Sequence, residues 1–220
     1  MKFTHVVFDI DGTLLDTEEM VLNSLSETLR RFCGRAVSPE KLTFALGIPG
    51  EDALRRLQVE SPGEICKKWN TAAKEYDESI RVFPGIRGIL NWLRDQEICL
   101  GVITSRTKTE YERGFVPFGL AEFFPIAVCA DDAPRHKPYA DPMEAYLRTS
   151  GANRRKVLYV GDSRYDMECA RAAGVPCALA LWGCKNPGEI VSDYRFRRPE
   201  DIQAVLETGK HQCCGNQREK

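Results

Sequence analysis

Short apolar runs that alternate with helix-like segments are the feature of this sequence that most restricts its fold. One such run opens the chain, and four more follow Pro84 and Gly85, each separated from the next by apolar residues at helical spacing. The runs that indicate strands are 6–8, 98–103, 126–129, 157–160 and 177–181. Strands that alternate with helices form a parallel sheet with helices on both faces. We therefore predict an α/β core.

The segment between residues 15 and 82 differs because its apolar residues show helical spacing only. The first helix predicted there has an apolar stripe that we expect to pack in a small core, formed by Leu22, Leu25, Leu29 and Phe32. Further helical pieces are predicted over 39–46, 50–57 and 62–80. We predict that residues 15–82 form an all-helical domain inserted into a core of residues 1–14 and 83–208. A disordered tail is expected over residues 209–220.

Composition excludes several classes of function. The 220 residues carry 31 basic and 32 acidic side chains, a formal net charge of -1. Binding to nucleic acid or to a membrane surface would favour a basic excess, so neither partner is expected. The longest apolar stretches, 98–104 and 175–184, are too short to span a membrane, and no signal-peptide core follows Met1. We expect a soluble, cytoplasmic protein, and the sequence leaves its oligomeric state open, a monomer included.

The nine cysteines are interpreted as free thiols. Their number is odd, no C-x-x-C occurs, and several lie inside apolar runs, where we expect Cys99, Cys129 and Cys177 to be buried. Cys213 and Cys214 fall in the predicted tail.

Polar residues follow four of the predicted strands. They are Asp9 and Asp11, Thr104 and Ser105, Lys137, and Asp162. Because ligands of open parallel sheets bind outside the carboxyl ends of the strands, we expect these residues to meet in one crevice. Three carboxylates brought together would repel one another, so a hard cation is required. Oxygen ligands completed by water and phosphate are typical of Mg²⁺.

These residue types favour phosphoryl transfer. Asp9 can attack phosphorus and form an aspartyl phosphate. Lys137, the Thr104 hydroxyl and the backbone N–H groups near Ser105 can bind phosphate oxygens. We expect the neighbouring carboxylate to raise the pKa of Asp11, which could then protonate the leaving group and later activate water.

Four segments carry a resemblance to a known family. Residues 8–17 (FDIDGTLLDT), 102–105 (VITS), 136–142 (HKPYADP) and 160–166 (VGDSRYD) resemble, in order and spacing, the four motifs of the haloacid dehalogenase-like (HAD) superfamily. The resemblance covers residues 4–207. It implies the HAD fold, a Rossmann-like parallel sheet with an inserted helical cap of the C1 type. The chain looks most like the phosphoglycolate phosphatase and pyrophosphatase branch.

The resemblance also implies a role for each site residue. Asp9 would be the nucleophile and a metal ligand, and Asp11 the acid/base whose backbone carbonyl also binds the metal. Asp162 would be a metal ligand, and Asp166 would support the metal shell or Lys137. The transferring phosphoryl group would be held by Thr104, Ser105 and Lys137. The implied activity is Mg²⁺-dependent hydrolysis of a small phosphorylated metabolite through a phospho-aspartate.

The sequence leaves three alternatives open. The first is an inorganic pyrophosphatase. The second is a β-phosphoglucomutase-like sugar-phosphate mutase, although such mutases carry a basic cap residue where this chain has residues 47–49 (GIP), and Glu-Asp where it has Gly161-Asp162. The third is a non-enzymatic, phosphate-binding domain of receiver type, which would lack a counterpart of Asp11 and of the helical insertion. The presence of Asp11 also argues against carbon–halogen cleavage.

Overall fold

The protein was analysed as a computed structural model, which describes residues 2–207. Its strands are β1 (His5–Phe8), β2 (Leu15–Asp16), β3 (Arg81–Val82), β4 (Cys99–Ile103), β5 (Ile126–Val128), β6 (Val157–Gly161), β7 (Cys177–Ala180) and β8 (Tyr194–Phe196). Its α-helices are α1 (Glu18–Cys33), α2 (Gly50–Arg56), α3 (Pro62–Ala72), α4 (Ile86–Asp95), α5 (Lys108–Gly114), α6 (Asp141–Ser150), α7 (Arg164–Ala172) and α8 (Asp201–Glu207). Two longer 3₁₀ helices, Pro39–Ala45 and Ala73–Ser79, flank α2 and α3.

Six strands form one parallel sheet in the order β5-β4-β1-β6-β7-β8. Numbered along the chain within this sheet, the order is 3-2-1-4-5-6, the doubly wound order of Rossmann-like folds. The predicted α/β fold is therefore confirmed. The prediction missed β8, whose three residues Tyr-Arg-Phe are too short and too mixed to stand out as an apolar run.

The sheet has a separate apolar core on each face because side chains alternate along a strand. In β1, Val6 and Phe8 pack in the cluster that contains the buried side of α4. Val7, between them, packs in the cluster that contains Met143 of α6 and Met167 of α7. Burial of β1 on both faces holds the residue that follows it, Asp9, at the carboxyl edge of the sheet.

A third apolar cluster joins the helices that lie between β2 and β3. It includes Leu22, Leu25 and Leu29 of α1, as predicted. Phe32 was wrongly assigned to this stripe: it is 45% exposed, and the Lys68 ammonium lies 4.9 Å from its ring centroid. Cys33, four residues after Leu29, packs against this cluster instead, and the helical period allows either position.

The helical segment leaves and rejoins the rest of the chain through two short strands. β2 and β3 pair antiparallel, with Leu15 opposite Val82 and Asp16 opposite Arg81. The division into domains at residues 15 and 82 stays a prediction, and residues 209–220 lie outside the described region. Within residues 2–207, no helix has both the length and the apolar character needed to cross a membrane.

Among the described cysteines, Cys129 and Cys177 are buried and unbonded to another cysteine. Cys99 is a free thiol too, but the prediction that it is buried is wrong. It is the first residue of β4, paired with His5 at the amino-terminal edge of the sheet, where its side chain is exposed.

Candidate active site

The candidate active site lies where the carboxyl ends of β1, β4 and β6 come together. Asp9, Thr104 and Asp162 are at or next to the ends of these three neighbouring strands. A cavity of about 370 Å³ opens there, and Asp9, Asp11, Ser105 and Asp162 line it. Residues of α1, of α3 and of the loop before α2 line the cavity from the other side.

A buried ammonium group lies between two buried carboxylates. Lys137 Nζ is 2.9 Å from Asp9 Oδ1 and 2.7 Å from Asp166 Oδ1. Burial, reinforced by the charge of Asp166, raises the pKa of Asp9 to about 7. Burial alone would lower the pKa of Lys137, but the carboxylates of Asp166 and Asp9 outweigh it and raise that pKa above its ordinary value. The lysine therefore stays charged beside both acids.

Asp166 is held in place by four further hydrogen bonds. The Ser163 N–H donates to Asp166 Oδ2 at 3.0 Å, and the Ser163 hydroxyl lies 2.5 Å from the same oxygen. The Asp166 N–H donates back to the Ser163 hydroxyl, so the two residues form the capping box of α7. The Tyr159 hydroxyl lies 3.0 Å from Asp166 Oδ1 and 3.3 Å from Lys137 Nζ.

Sequence reasoning missed Tyr159. It stands in the middle of the buried strand β6, where a tyrosine hydroxyl needs a polar partner. A polar atom inside an otherwise apolar strand that leads to Asp162 was the signal that could have identified it.

Three carboxylates come close enough to share one cation. Asp9, Asp162 and Asp166 each offer an oxygen, and these oxygens lie within 4.8 Å of one another. The Thr13 hydroxyl donates to Asp162 Oδ1 at 2.9 Å. Burial, together with the charges of Asp166 and Asp9, raises the pKa of Asp162 well above its ordinary value. The cluster is thus a set of hard oxygen donors with more negative charge than Lys137 alone offsets, which fits a divalent cation.

The turn after β1 packs closely against this cluster. Gly12 has a φ of +80°, and a Cβ atom there would lie 2.3 Å from Asp162 Oδ2. A Cβ atom on Gly183 would lie 1.7 Å from the Gly12 carbonyl oxygen. The Trp182 indole N–H donates to the Thr13 carbonyl at 2.9 Å. Glycine fits position 12 because it adopts the positive φ and has no Cβ atom that would clash with Asp162.

Asp11 has a different environment from the one expected. Arg106 binds both of its carboxylate oxygens, Nη2 to Oδ1 at 2.6 Å and Nε to Oδ2 at 2.8 Å. Burial alone would raise the pKa of Asp11, but the Arg106 guanidinium outweighs it and holds this pKa below its ordinary value. The expected raised pKa is wrong, because a cation 95 positions away in sequence is the nearest charged partner.

The two hydroxyl residues after β4 make contacts of different kinds. Thr104 is buried, and its hydroxyl accepts a hydrogen bond from the Arg106 N–H at 3.2 Å. The Ser105 hydroxyl donates to the carbonyl of Gly47 at 3.1 Å and so reaches the helical segment. Arg106 was missed, although a basic residue directly after this pair was a usable signal.

The helical segment contacts the site region at several points. Leu46, Gly47, Ile48 and Gly50 line the cavity, so the loop before α2 and the first residue of α2 reach the site. Asn70 donates to Glu110 Oε1 at 2.7 Å, and Glu18 pairs with Lys185. These contacts hold the helices against the carboxyl edge of the sheet.

Comparison with known proteins identifies the family. The sequence profile described as haloacid dehalogenase-like hydrolase matches residues 6–180, most of the chain. The chain belongs to the haloacid dehalogenase-like hydrolase family. The predicted membership and the prediction of a hydrolase are thereby confirmed, and a non-enzymatic receiver-type domain is not supported.

Relatives in this family match nearly the whole chain. The chain is 30% identical over 183 residues to the "Putative pyrophosphatase PpaX" of Caldanaerobacter subterraneus subsp. tengcongensis. The aligned region covers 83% of each chain. It is 28% identical over 212 residues to the pyrophosphatase PpaX of Halalkalibacterium halodurans, covering 94% of this chain and 98% of the relative. A crystal structure of a "putative phosphoglycolate phosphatase" from Lactobacillus plantarum superposes with a TM-score of 0.86 at 27% identity, covering 93% of this chain and 100% of that one.

Proposed function

We propose that this hydrolase is a Mg²⁺-dependent phosphatase that acts on a small phosphorylated metabolite through a phospho-aspartate on Asp9. The observation that carries the proposal is the buried Asp9 carboxylate, 2.9 Å from the Lys137 ammonium and clustered with two further carboxylates at the edge of a cavity. A nucleophile, a fixed positive charge and a set of hard ligands are the parts that phosphoryl transfer needs.

Asp9 performs the covalent step. Lys137 contacts Oδ1, so Oδ2 attacks phosphorus, and the bond between phosphorus and the leaving oxygen breaks as the new bond forms. The Lys137 ammonium offsets negative charge on the phosphoryl oxygens. Thr104 and the N–H groups near Ser105 donate to those oxygens.

Asp11 moves the proton in both steps. When protonated it donates to the leaving oxygen. A water oxygen then attacks phosphorus, the bond to Asp9 breaks, Asp11 takes the proton from water, and inorganic phosphate leaves. Because the Arg106 guanidinium occupies both Asp11 oxygens, each transfer requires this pair to open.

Asp9 and Asp162 would hold the Mg²⁺, with Asp166 beside them and the Asp11 backbone carbonyl as a further ligand. When bound, the ion supplies the positive charge that allows a phosphoryl group to approach the carboxylates. The oxygen-only donor set supports a hard cation here.

The cavity supports a small substrate. Its volume of about 370 Å³ and its enclosure by α1, α3 and the loop before α2 leave room for a metabolite rather than a folded phosphoprotein. We propose that residues 15–82 act as a cap that excludes water. The names of the relatives favour pyrophosphate and phosphoglycolate as the first candidates.

The test is phosphate release from a panel of phosphorylated metabolites and pyrophosphate, with Mg²⁺ and with EDTA. We expect release that depends on Mg²⁺. Asp9→Asn should lower kcat by about 10³-fold or more, because the amide removes the nucleophile but keeps the shape.

A thermal unfolding curve for Asp9→Asn provides the control for folding. Metal-independent release, or an Asp9→Asn variant that keeps more than about a tenth of the activity, would contradict the mechanism. The ranking of substrates assigns the class of leaving group.

A further inference from the structure

Arg106 is the feature of this site that the proposed mechanism leaves without a task of its own. It follows Thr104 and Ser105 directly, and its guanidinium binds Asp11 through two nitrogens. Its side chain is only 11% exposed and Asp11 is 23% exposed, yet both line the cavity. A molecule in the cavity can therefore reach the pair.

The surroundings of Arg106 are built to hold a guanidinium. A Cβ atom on Gly114 would lie 2.2 Å from Arg106 Nη1, so the glycine leaves the space that this group fills against α5. Nη1 also lies 3.5 Å from the Glu110 carbonyl oxygen. The other described cations that line the cavity, Lys74, Arg113 and Lys185, are exposed. Of these four positive charges, Arg106 is the most buried.

The chemistry places a leaving group beside this charge. Asp11 must reach the leaving oxygen to protonate it, and Arg106 is bonded to Asp11. A second anionic group on the leaving group would thus lie within reach of Arg106. The planar guanidinium binds both carboxylate and phosphate through two parallel hydrogen bonds.

We propose that Arg106 is a specificity-determining residue that binds a second anion, a carboxylate or a phosphate, on the leaving group of the substrate. The substrate anion replaces the Asp11 carboxylate on the guanidinium. The same exchange frees both Asp11 oxygens for the leaving oxygen and for water. This inference rests on the proposed function and deepens it by naming the substrate class.

The experiment measures kcat/KM with three substrates in Mg²⁺. Pyrophosphate carries a second phosphate, phosphoglycolate carries a carboxylate, and methyl phosphate has no second anion. In Arg106→Gln we expect the ratio of kcat/KM for an anionic substrate to that for methyl phosphate to fall about 30-fold, the loss typical of hydrogen bonds to a charged group. Which of the two ratios falls identifies the source of the anion.

Two further variants make the result specific. Arg113→Gln removes the same charge from an exposed position on α5, and we expect its ratios to change less than about threefold. Arg106→Lys keeps the charge but loses the paired geometry, so its ratios should fall about fivefold. If thermal unfolding shows that Arg106→Gln does not fold, the kcat/KM ratios of Arg106→Lys alone test the inference.

Equal losses on all three substrates in the Arg106 variants would overturn the inference, since a structural role would produce them. A larger fall of the ratios in Arg113→Gln would overturn it as well. If the wild-type enzyme releases phosphate from methyl phosphate but shows no preference for either anionic substrate, the proposed function stands and this inference fails. If it hydrolyses none of the three, this inference fails, and the proposed function fails with it only if nothing in the metabolite panel is hydrolysed either.

Discussion

At the scale of single residues, the site depends on a close match of buried charges and their partners. Lys137 carries one positive charge between Asp9 and Asp166, and Asp162 adds another carboxylate nearby. Ionised groups in an interior persist only when they are paired and hydrogen-bonded. The Tyr159 hydroxyl belongs to this set, because it contacts both Lys137 and Asp166.

Tyr159→Phe tests whether that hydroxyl positions the charges. The loss of one buried hydrogen-bonding group should lower the free energy of unfolding by about 1 kcal/mol. We also expect kcat to fall about tenfold, since residues that orient a metal and phosphate site commonly have effects of that size. Urea denaturation and steady-state kinetics measure the two effects.

Tyr146→Phe is the matched control. Tyr146 is also fully buried, and its hydroxyl contacts His5 Nδ1 at 3.0 Å, away from the cavity. Tyr146→Phe should lower the free energy of unfolding by a similar amount and leave kcat unchanged. If both variants lose activity in proportion to stability, Tyr159 has no positioning role.

At the scale of elements, the turn between β1 and β2 joins Asp9, the proposed nucleophile, to the carboxylate cluster. The turn must bend back directly after Asp9 while leaving room for Asp162. Gly12 meets both demands through its positive φ and its missing Cβ atom.

Gly12→Ala should therefore have a larger effect than backbone strain alone would cause. A methyl group 2.3 Å from Asp162 Oδ2 has to displace that carboxylate, so we expect activity to fall by about tenfold or more and the Mg²⁺ requirement to rise. Titration of activity with Mg²⁺ measures both effects.

Gly34→Ala separates strain from the clash. Gly34 ends α1 with a φ of +62°, and apart from its neighbours in the chain no atom lies within 4 Å of the point that a Cβ would occupy. The substitution should therefore cost about 1 to 2 kcal/mol of stability and leave activity intact. An equal loss of activity in both variants would show that strain alone accounts for the effect.

At the scale of the whole molecule, a bound cation should stabilise the fold. Three clustered carboxylates repel one another, and an ion that binds only the folded chain shifts the unfolding equilibrium. At about 100 times its dissociation constant, Mg²⁺ should raise Tm by about 5 to 10 °C relative to EDTA at equal ionic strength. Asp162→Asn should abolish most of this increase; an unchanged increase would place the ion elsewhere.

The same experiment has a definite pH dependence. The pKa of Asp9 is raised to about 7 in the folded protein, above its ordinary value, so the folded state binds this proton more tightly than the unfolded state. In EDTA, the contribution of Asp9 to stability should therefore increase as the pH falls from about 8 to about 5.5, and the Mg²⁺ effect should shrink. The gain in Tm on acidification should be smaller in Asp9→Asn than in the wild type.

The sequence by itself determined where the chemistry could lie. An apolar run that ends in Asp9, and similar runs that end beside Thr104 and Asp162, indicate buried parallel strands whose polar ends share one edge. This inference needs only local patterns and the geometry of parallel sheets, and the family resemblance adds the expected roles.

Only the tertiary structure decided which charges meet. Arg106 reaches Asp11 across 95 positions because β1 and β4 lie side by side. Tyr159 reaches Lys137 across 22 positions because the segment between β5 and α6 brings the lysine to β6. Periodicity likewise could not choose between Phe32 and Cys33 for the inward position, since both are near the apolar stripe. Side-chain partners far apart in sequence are set by packing, and packing is a property of the whole fold.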